Sequence, residues 1–256
     1  GEIYETIEIL KNNGMTYELD GALWYKATDF GAEKDEVLVR KNGNPTYFAA
    51  DIAYHRNKFV KRKFDTCIDI WGADHHGHVA RMKGAMNAIG LDGNKLDVIL
   101  MQLVKLVKDG QIVRMSKRTG KAIQLSDLLD EVSVDAARFI FNMREANSQM
   151  DFDLDLAVKE DSQNPVYYVQ YAHARICSIL KALEKENIKP KSCSVEELFL
   201  LRAPEEKELI RHLSMYTSEI IEAAKTYDPA RITRYVITLA TLFHKFYNSC
   251  RVKCSD

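Results

Sequence analysis

The sequence predicts an α/β domain, the second half of a Rossmann-like parallel sheet, followed by an all-α helical bundle. Three observations carry that prediction. From Pro45 to about Glu145, short apolar runs alternate with helical periodicities, as in a parallel sheet with crossover helices. Beyond Asn164 only helical periodicity remains. The 256 residues, 46% hydrophobic and 29% charged, suffice for one large core or two smaller ones and exclude disorder, collagen and coiled coil.

The elements follow in order. Ile3, Ile7 and Leu10 at helical spacing predict a helix over 2–13, with Gly14 placed for a C-terminal cap. Asp20-Gly21 and Asn42-Gly43 flanked by strand-forming residues predict a small β-rich insertion over 15–44. A helix is expected over 46–63, a buried strand over 67–71, a helix over 76–89, a strand region within 96–106, a turn at Asp109-Gly110 and a strand over 112–115. Ser126 and Ser133 read as N-caps of two helices reaching about Glu145. Asp151, Asp153, Asp155, Glu160 and Asp161 suggest an acidic connection, so the domains are set at 1–155 and 156–256. Helices over 165–185, 195–227 (broken near Pro204) and 229–250 complete the bundle.

Composition removes several functions. Thirty-six basic and 37 acidic residues give a net charge of -1, so a nucleic-acid surface must be local. The most apolar stretch, 96–107, is broken by Asp97, Gln102 and Lys105, which excludes a membrane span. Five cysteines without a CxxC pair suit a reducing cytoplasm. The start at Gly1, inside a helical pattern, reads as a segment of a longer protein.

Four groups of residues carry chemistry. Val113 to Gly120, between a strand and a helix, forms a basic loop in which Lys117 can meet a polyphosphate and Ser116 can donate to its oxygens; a surface loop with three cations is the plain alternative. Gly72-Ala73-Asp74-His75-His76-Gly77-His78 follows a strand, where open α/β sheets bind ligands, and Asp74 can accept ribose hydroxyls. Histidines serving only a helix terminus are the alternative, and without a fourth ligand no structural metal is expected. Tyr47 and Asp51, four residues apart, share a helix face suited to a guanidinium, although a solvated Asp and half-buried Tyr would look the same. Arg231, Arg234, Lys245, Arg251 and Lys253, with no acidic residue between them and with Tyr235, Phe243, Phe246 and Tyr247 interleaved, suit phosphates and bases, or else form a solvated face over an aromatic core.

Together these strings resemble bacterial-type arginyl-tRNA synthetases, a class I aminoacyl-tRNA synthetase family. The resemblance rests on Thr46 to His55, Gly72 to Gly77, Arg114 to Arg118, Val134 to Phe139, Asp151 to Asp155 and Asn164 to Arg175, and covers about Gly21 to Val252. It implies a class I catalytic domain ending in an anticodon-binding bundle, and an enzyme that condenses arginine with ATP and transfers the arginyl group to tRNA(Arg). It implies catalytic roles for Lys117, Ser116 and Arg114, Arg114 to Arg118 being similar to the KMSKS loop with arginine replacing the first lysine. By the same resemblance Tyr47, Asp51 and His75 hold arginine, and Gly72, Asp74, His76, Met115 and Lys117 hold ATP with its Mg2+. Arg231, Arg234, Lys245 and Arg251 are expected to meet tRNA. Family members are often monomeric.

His75-His76-Gly77-His78 satisfies H-x-G-H, yet it lies about 40 residues before Lys117, on a later strand than the first strand-to-helix turn where the class I HIGH signature belongs. The HIGH element, the first half of the sheet and the N-terminal tRNA-contacting domain are therefore expected to lie outside these residues, with the bundle truncated after Asp256. Alone, the chain is not expected to exchange pyrophosphate. The competing reading is a non-catalytic RNA-binding module that uses the helical domain.

Overall fold

The computed structural model describes residues 1–113, 123–189 and 191–252. They fall into two compact units, Gly1–Leu103 and Val104–Asp256.

In the first unit, helix α1 (Glu2–Asn12) buries Ile7 and Leu10. Its end is a Schellman turn: Gly14, at φ +71, donates to Lys11 and Met15 donates to Leu10. Strands β1 (Thr16–Leu19), β2 (Ala22–Tyr25) and β3 (Glu36–Val39) form an antiparallel sheet in that order. Asp20 and Gly21 both take positive φ, as a two-residue turn between twisted strands requires. Helix α2 (Tyr47–Arg56) starts at Thr46, whose hydroxyl accepts from the Ala49 N–H. The helix expected to reach residue 63 widens instead into a π-turn over Asn57–Lys61, in which Arg62 N–H donates to the Asn57 carbonyl.

Strands β4 (Cys67–Gly72) and β5 (Leu96–Met101) pair in parallel, connected by helix α3 (His76–Ala88). Leu10, Tyr25, Leu38, Ile52, Met82, Met86 and Leu96 are fully buried in one core, so helices, hairpin and parallel pair consolidate together.

The second unit opens with β6 (Val104–Lys108), β7 (Gln111–Val113) and, after two helices, β8 (Met150–Asp153), in the order β7-β6-β8. The expected strand region over 96–106 is thus two strands in separate sheets. Helix α4 (Leu125–Glu131) starts at Gln124, whose N–H donates to Asp127; Ser126 lies inside the helix rather than capping it. Ser133 does cap α5 (Val134–Phe141), accepting from Ala136 N–H at 3.2 Å. The supposed acidic connection contains β8 and α6 (Leu154–Val158). Phe152 there is 0% exposed between exposed Asp151 and Asp153, and it joins the Leu128, Ile140 and Leu154 core. β8 is parallel to β6, which places residues 150–153 in the sheet of the second unit.

The remaining described elements are helical: α7 (Pro165–Lys185), α8 (Val195–Leu198), α9 (Pro204–Ser214), α10 (Tyr216–Thr226) and α11 (Ala230–Ser249). The expected 195–227 helix breaks twice, Pro204 starting α9 and Met215 separating α9 from α10. α11 packs on α7, α9 and α10. Asn164 caps α7, accepting from Val166 N–H while its amide donates to the Ala157 and Lys159 carbonyls.

Candidate active site and helical nucleic-acid surface

α2 and β4 bound an open groove lined by Asp51, Tyr54, His55, Lys58, Ile68, Asp69, Ile70, Trp71, His75 and His78. It lies along the strand whose carboxyl end carries Gly72 and Asp74, the position at which open α/β sheets take ligands. Its two carboxylates differ in their commitments. Asp69 receives Lys58 Nζ at 2.7 Å and His55 Nε2 at 2.6 Å. Asp51, with its side chain 53% exposed, has no lysine or arginine within ion-pair distance among the described residues; His78 Nε2 lies 3.7 Å away.

His78 packs against Trp71 and Phe48, with ring centres 5.1 and 5.5 Å apart. Burial, helped by the nearby Arg81 charge, holds its imidazole below the ordinary 6.5 against the opposing pull of Asp51. The lowered value disfavours a positive charge on the ring, so among the described residues no lysine, arginine or readily protonated histidine is set against Asp51. A guanidinium entering here meets a carboxylate and aromatic faces together.

Of the expected arginine-site residues, Asp51 and His75 line the groove, whereas Tyr47 is 87% exposed and lies outside its lining. Asp74 and His76 also lie outside it; both are exposed, and Asp74 Oδ2 is 3.7 Å from His75 Nε2. Gly72 admits that arrangement, because a methyl group there would stand 2.5 Å from Asp74 Oδ1 and displace the carboxylate. Sequence reading did not single out His55, Lys58, Asp69 or Trp71 as site residues, and it gave His78 no role. The available signal for His78 was its spacing: His75 and His78 sit at i and i+3, on one face of the turn that starts α3, and their rings are 6.5 Å apart. Arg114, Met115, Ser116 and Lys117 lie outside the described residues.

In the helical unit, Arg231 pairs with Glu219 at 3.0 Å and Arg234 with Asp228 at 2.9 Å, so acidic side chains of other segments offset part of the basic run. Lys245 is exposed on α11. Nearby, the Arg175 guanidinium lies between two tyrosine rings, 4.6 Å from the centre of Tyr171 and 4.5 Å from that of Tyr247. Tyr167 and Tyr171 stack at 7°. Stacking rings beside cations suit unpaired bases.

Acid should weaken the first unit in two stages. The Asp69 carboxyl is pushed up by burial, but hydrogen bonds from Lys58 and His55 outweigh this and hold it below the ordinary 3.8. His78 also lies below its unfolded value. Both groups therefore contribute stability that is complete above the unfolded values and lost as pH falls through the folded ones. Urea denaturation against pH is expected to show stability declining below about pH 6.5 and again below about pH 4, with His78→Gln reducing the first decline, to which partly buried His244 of the second unit also contributes. Wild-type stability that rises between pH 7 and pH 5 would contradict the assignment.

Comparison with known proteins identifies the family. The family model for "tRNA synthetases class I (R), catalytic domain" matches residues 2–179, and that for the "DALR anticodon binding domain" matches residues 169–256. An arginine–tRNA ligase from Caldanaerobacter subterraneus subsp. tengcongensis is 63% identical over 256 residues, 100% of this chain and 46% of that protein. A Campylobacter jejuni structure described as an arginyl-tRNA synthetase superposes with TM-score 0.85 at 38% identity, covering 98% of this chain and 54% of that one. The Thermus thermophilus arginyl-tRNA synthetase shares the fold, with TM-score 0.81 at 21% identity over 98% of this chain and 51% of that one. The chain thus spans about half the length of the curated relatives it matches. A family model covering residues 2–179, joined to an anticodon-binding domain over 169–256, leaves one conclusion: the chain belongs to the class I arginyl-tRNA synthetase family.

Proposed function

We propose that the protein containing this chain is an arginine–tRNA ligase. It would activate arginine with ATP to arginyl-adenylate and then pass the arginyl group to the terminal adenosine of tRNA(Arg). The observation that carries this reading is Asp51: a half-exposed carboxylate without a lysine or arginine partner among the described residues, in an aromatic-walled groove along β4.

In the activation step a carboxylate oxygen of arginine bonds to the α-phosphorus of ATP as the bond to the β-phosphate bridging oxygen breaks and pyrophosphate departs. Asp51 holds the guanidino side chain, with His75 at the groove wall and Tyr47 one turn earlier on α2, at the open side. Gly72, Asp74 and His76 receive the adenosine. Lys117, with Ser116, Met115 and Arg114, stabilises negative charge on the triphosphate as it develops. Arg231, Arg234, Lys245 and Arg251 contribute the tRNA-facing charge of the helical unit. Mg2+ belongs to the nucleotide in this reading: among the described residues no group of three or more His, Cys, Asp or Glu side chains could hold a metal ion, and Mg2+ commonly binds through substrate phosphates.

Arginine-dependent ATP–pyrophosphate exchange by the full-length protein with tRNA(Arg) tests the proposal. Exchange is expected with arginine and not with citrulline, the neutral isostere that cannot pair with Asp51. Full-length protein that binds tRNA(Arg) but shows no exchange would favour an RNA-binding module instead.

A further inference from the structure

His55 has no part in the chemistry above, yet it is 4% exposed and sits between the two walls of the groove. Its Nδ1 lies 2.8 Å from the backbone carbonyl oxygen of Asp51, one helical turn back on α2. Its Nε2 lies 2.6 Å from Oδ2 of Asp69 on β4. The other Asp69 oxygen accepts from Lys58 Nζ at 2.7 Å, and that ammonium stands 4.7 Å from the centre of the Tyr54 ring.

The buried ring therefore has both nitrogens within hydrogen-bond distance of an oxygen, one on α2 and one on β4, and spans the two elements. The titratable side chains the ring meets are Asp69 from β4 and Tyr54 from its own helix, and Lys58 from the π-turn bonds the other oxygen of Asp69.

We propose that His55 is a positioning residue: its ring ties the Asp51 peptide of α2 to Asp69 of β4, fixing the Asp51 carboxylate relative to Gly72 and Asp74 at the end of the same strand. The inference rests on the reading that Asp51 receives the substrate guanidinium. Asp69 is three residues before Gly72, so the tether acts about 10 Å along the strand from the nucleotide end. Misplacement by about 1 Å can cost as much as 10²-fold in rate, so a tether at this place has catalytic weight without touching substrate.

The test is kinetic and uses the full-length protein. His55→Ala is expected to raise the arginine KM about 10-fold and leave the ATP KM within about twofold. His55→Gln, which keeps one donor, should recover part of the loss. The double variant with Asp51→Asn should be no worse than Asp51→Asn alone, because the tether acts only through that carboxylate. An undiminished His55→Ala effect in the Asp51→Asn background, or equal losses for arginine and ATP, would overturn the proposal by showing a general structural role. If Asp51→Asn itself leaves the arginine KM unchanged, the guanidinium reading fails, and the tether's positioning role falls with it. Should His55→Ala not fold, Asp69→Asn, which alters the strand end of the tether while keeping its shape, still decides: a raised arginine KM with the ATP KM within about twofold is expected, and equal losses for both substrates would overturn the proposal.

Discussion

Lys117→Ala in the full-length protein is expected to lower the rate of arginine activation about 10²-fold or more while leaving the arginine KM nearly unchanged. The argument is one of differential binding: charge on the triphosphate grows as pyrophosphate begins to leave, so a cation placed there acts mainly in the transition state. Removing one such contact commonly costs about 2.7–4 kcal/mol. Arginine at position 114, where the KMSKS pattern has lysine, keeps the charge but spreads it over a planar fork; it does not substitute for a point charge three residues later. Single-turnover adenylate formation at saturating ATP and arginine checks this. Unchanged turnover would demote the loop to a bystander.

Asp51→Asn is expected to raise the arginine KM roughly 10- to 100-fold and to leave the ATP KM within about twofold. A hydrogen bond to a charged group contributes about 1.5–3 kcal/mol, and asparagine preserves the shape while removing the charge. The groove offers little replacement: its other carboxylate, Asp69, is already bonded to Lys58 and His55. Steady-state pyrophosphate exchange with each substrate varied in turn checks the split. Equal loss of both affinities would remove Asp51 from the amino-acid pocket.

What the sequence made legible was what local rules govern. The α1 cap at Gly14, the Asp20-Gly21 hairpin and the Thr46 start of α2 follow from short-range chemistry, and the parallel β4–β5 pair from strand–helix–strand alternation; all appear in the fold. The misses had two kinds of cause, one non-local and one a competing local cap. β8 was hidden because the acids on its exposed face masked the period-2 burial of Phe152, a residue whose partners come from distant parts of the second unit. Ser126 resembled an N-cap, but Gln124 and Asp127 form the reciprocal start of α4 two residues earlier.

The groove was legible only in part. Asp51 stood out as an acid one helical turn from an aromatic residue. His78 and the His55–Asp69–Lys58 group did not, because their roles depend on α2 and β4 lying side by side, and nothing in the spacing of residues 55, 58 and 69 announces that. Tyr47 was chosen from the same periodicity as Asp51, yet it is almost wholly exposed while Trp71 and His78 supply the aromatic walls.

The Arg175 guanidinium, held between Tyr171 and Tyr247, joins α7 to α11 through ring faces rather than through a carboxylate. Mobile ions weaken attraction between solvent-facing charges far more than they weaken flat contact between a guanidinium and an aromatic ring. The α7–α11 joint therefore keeps its hold at ionic strengths that screen exposed pairs such as Lys225–Glu222 on α10. High-salt washing strips polyanions from basic proteins, and here it would leave this part of the bundle standing.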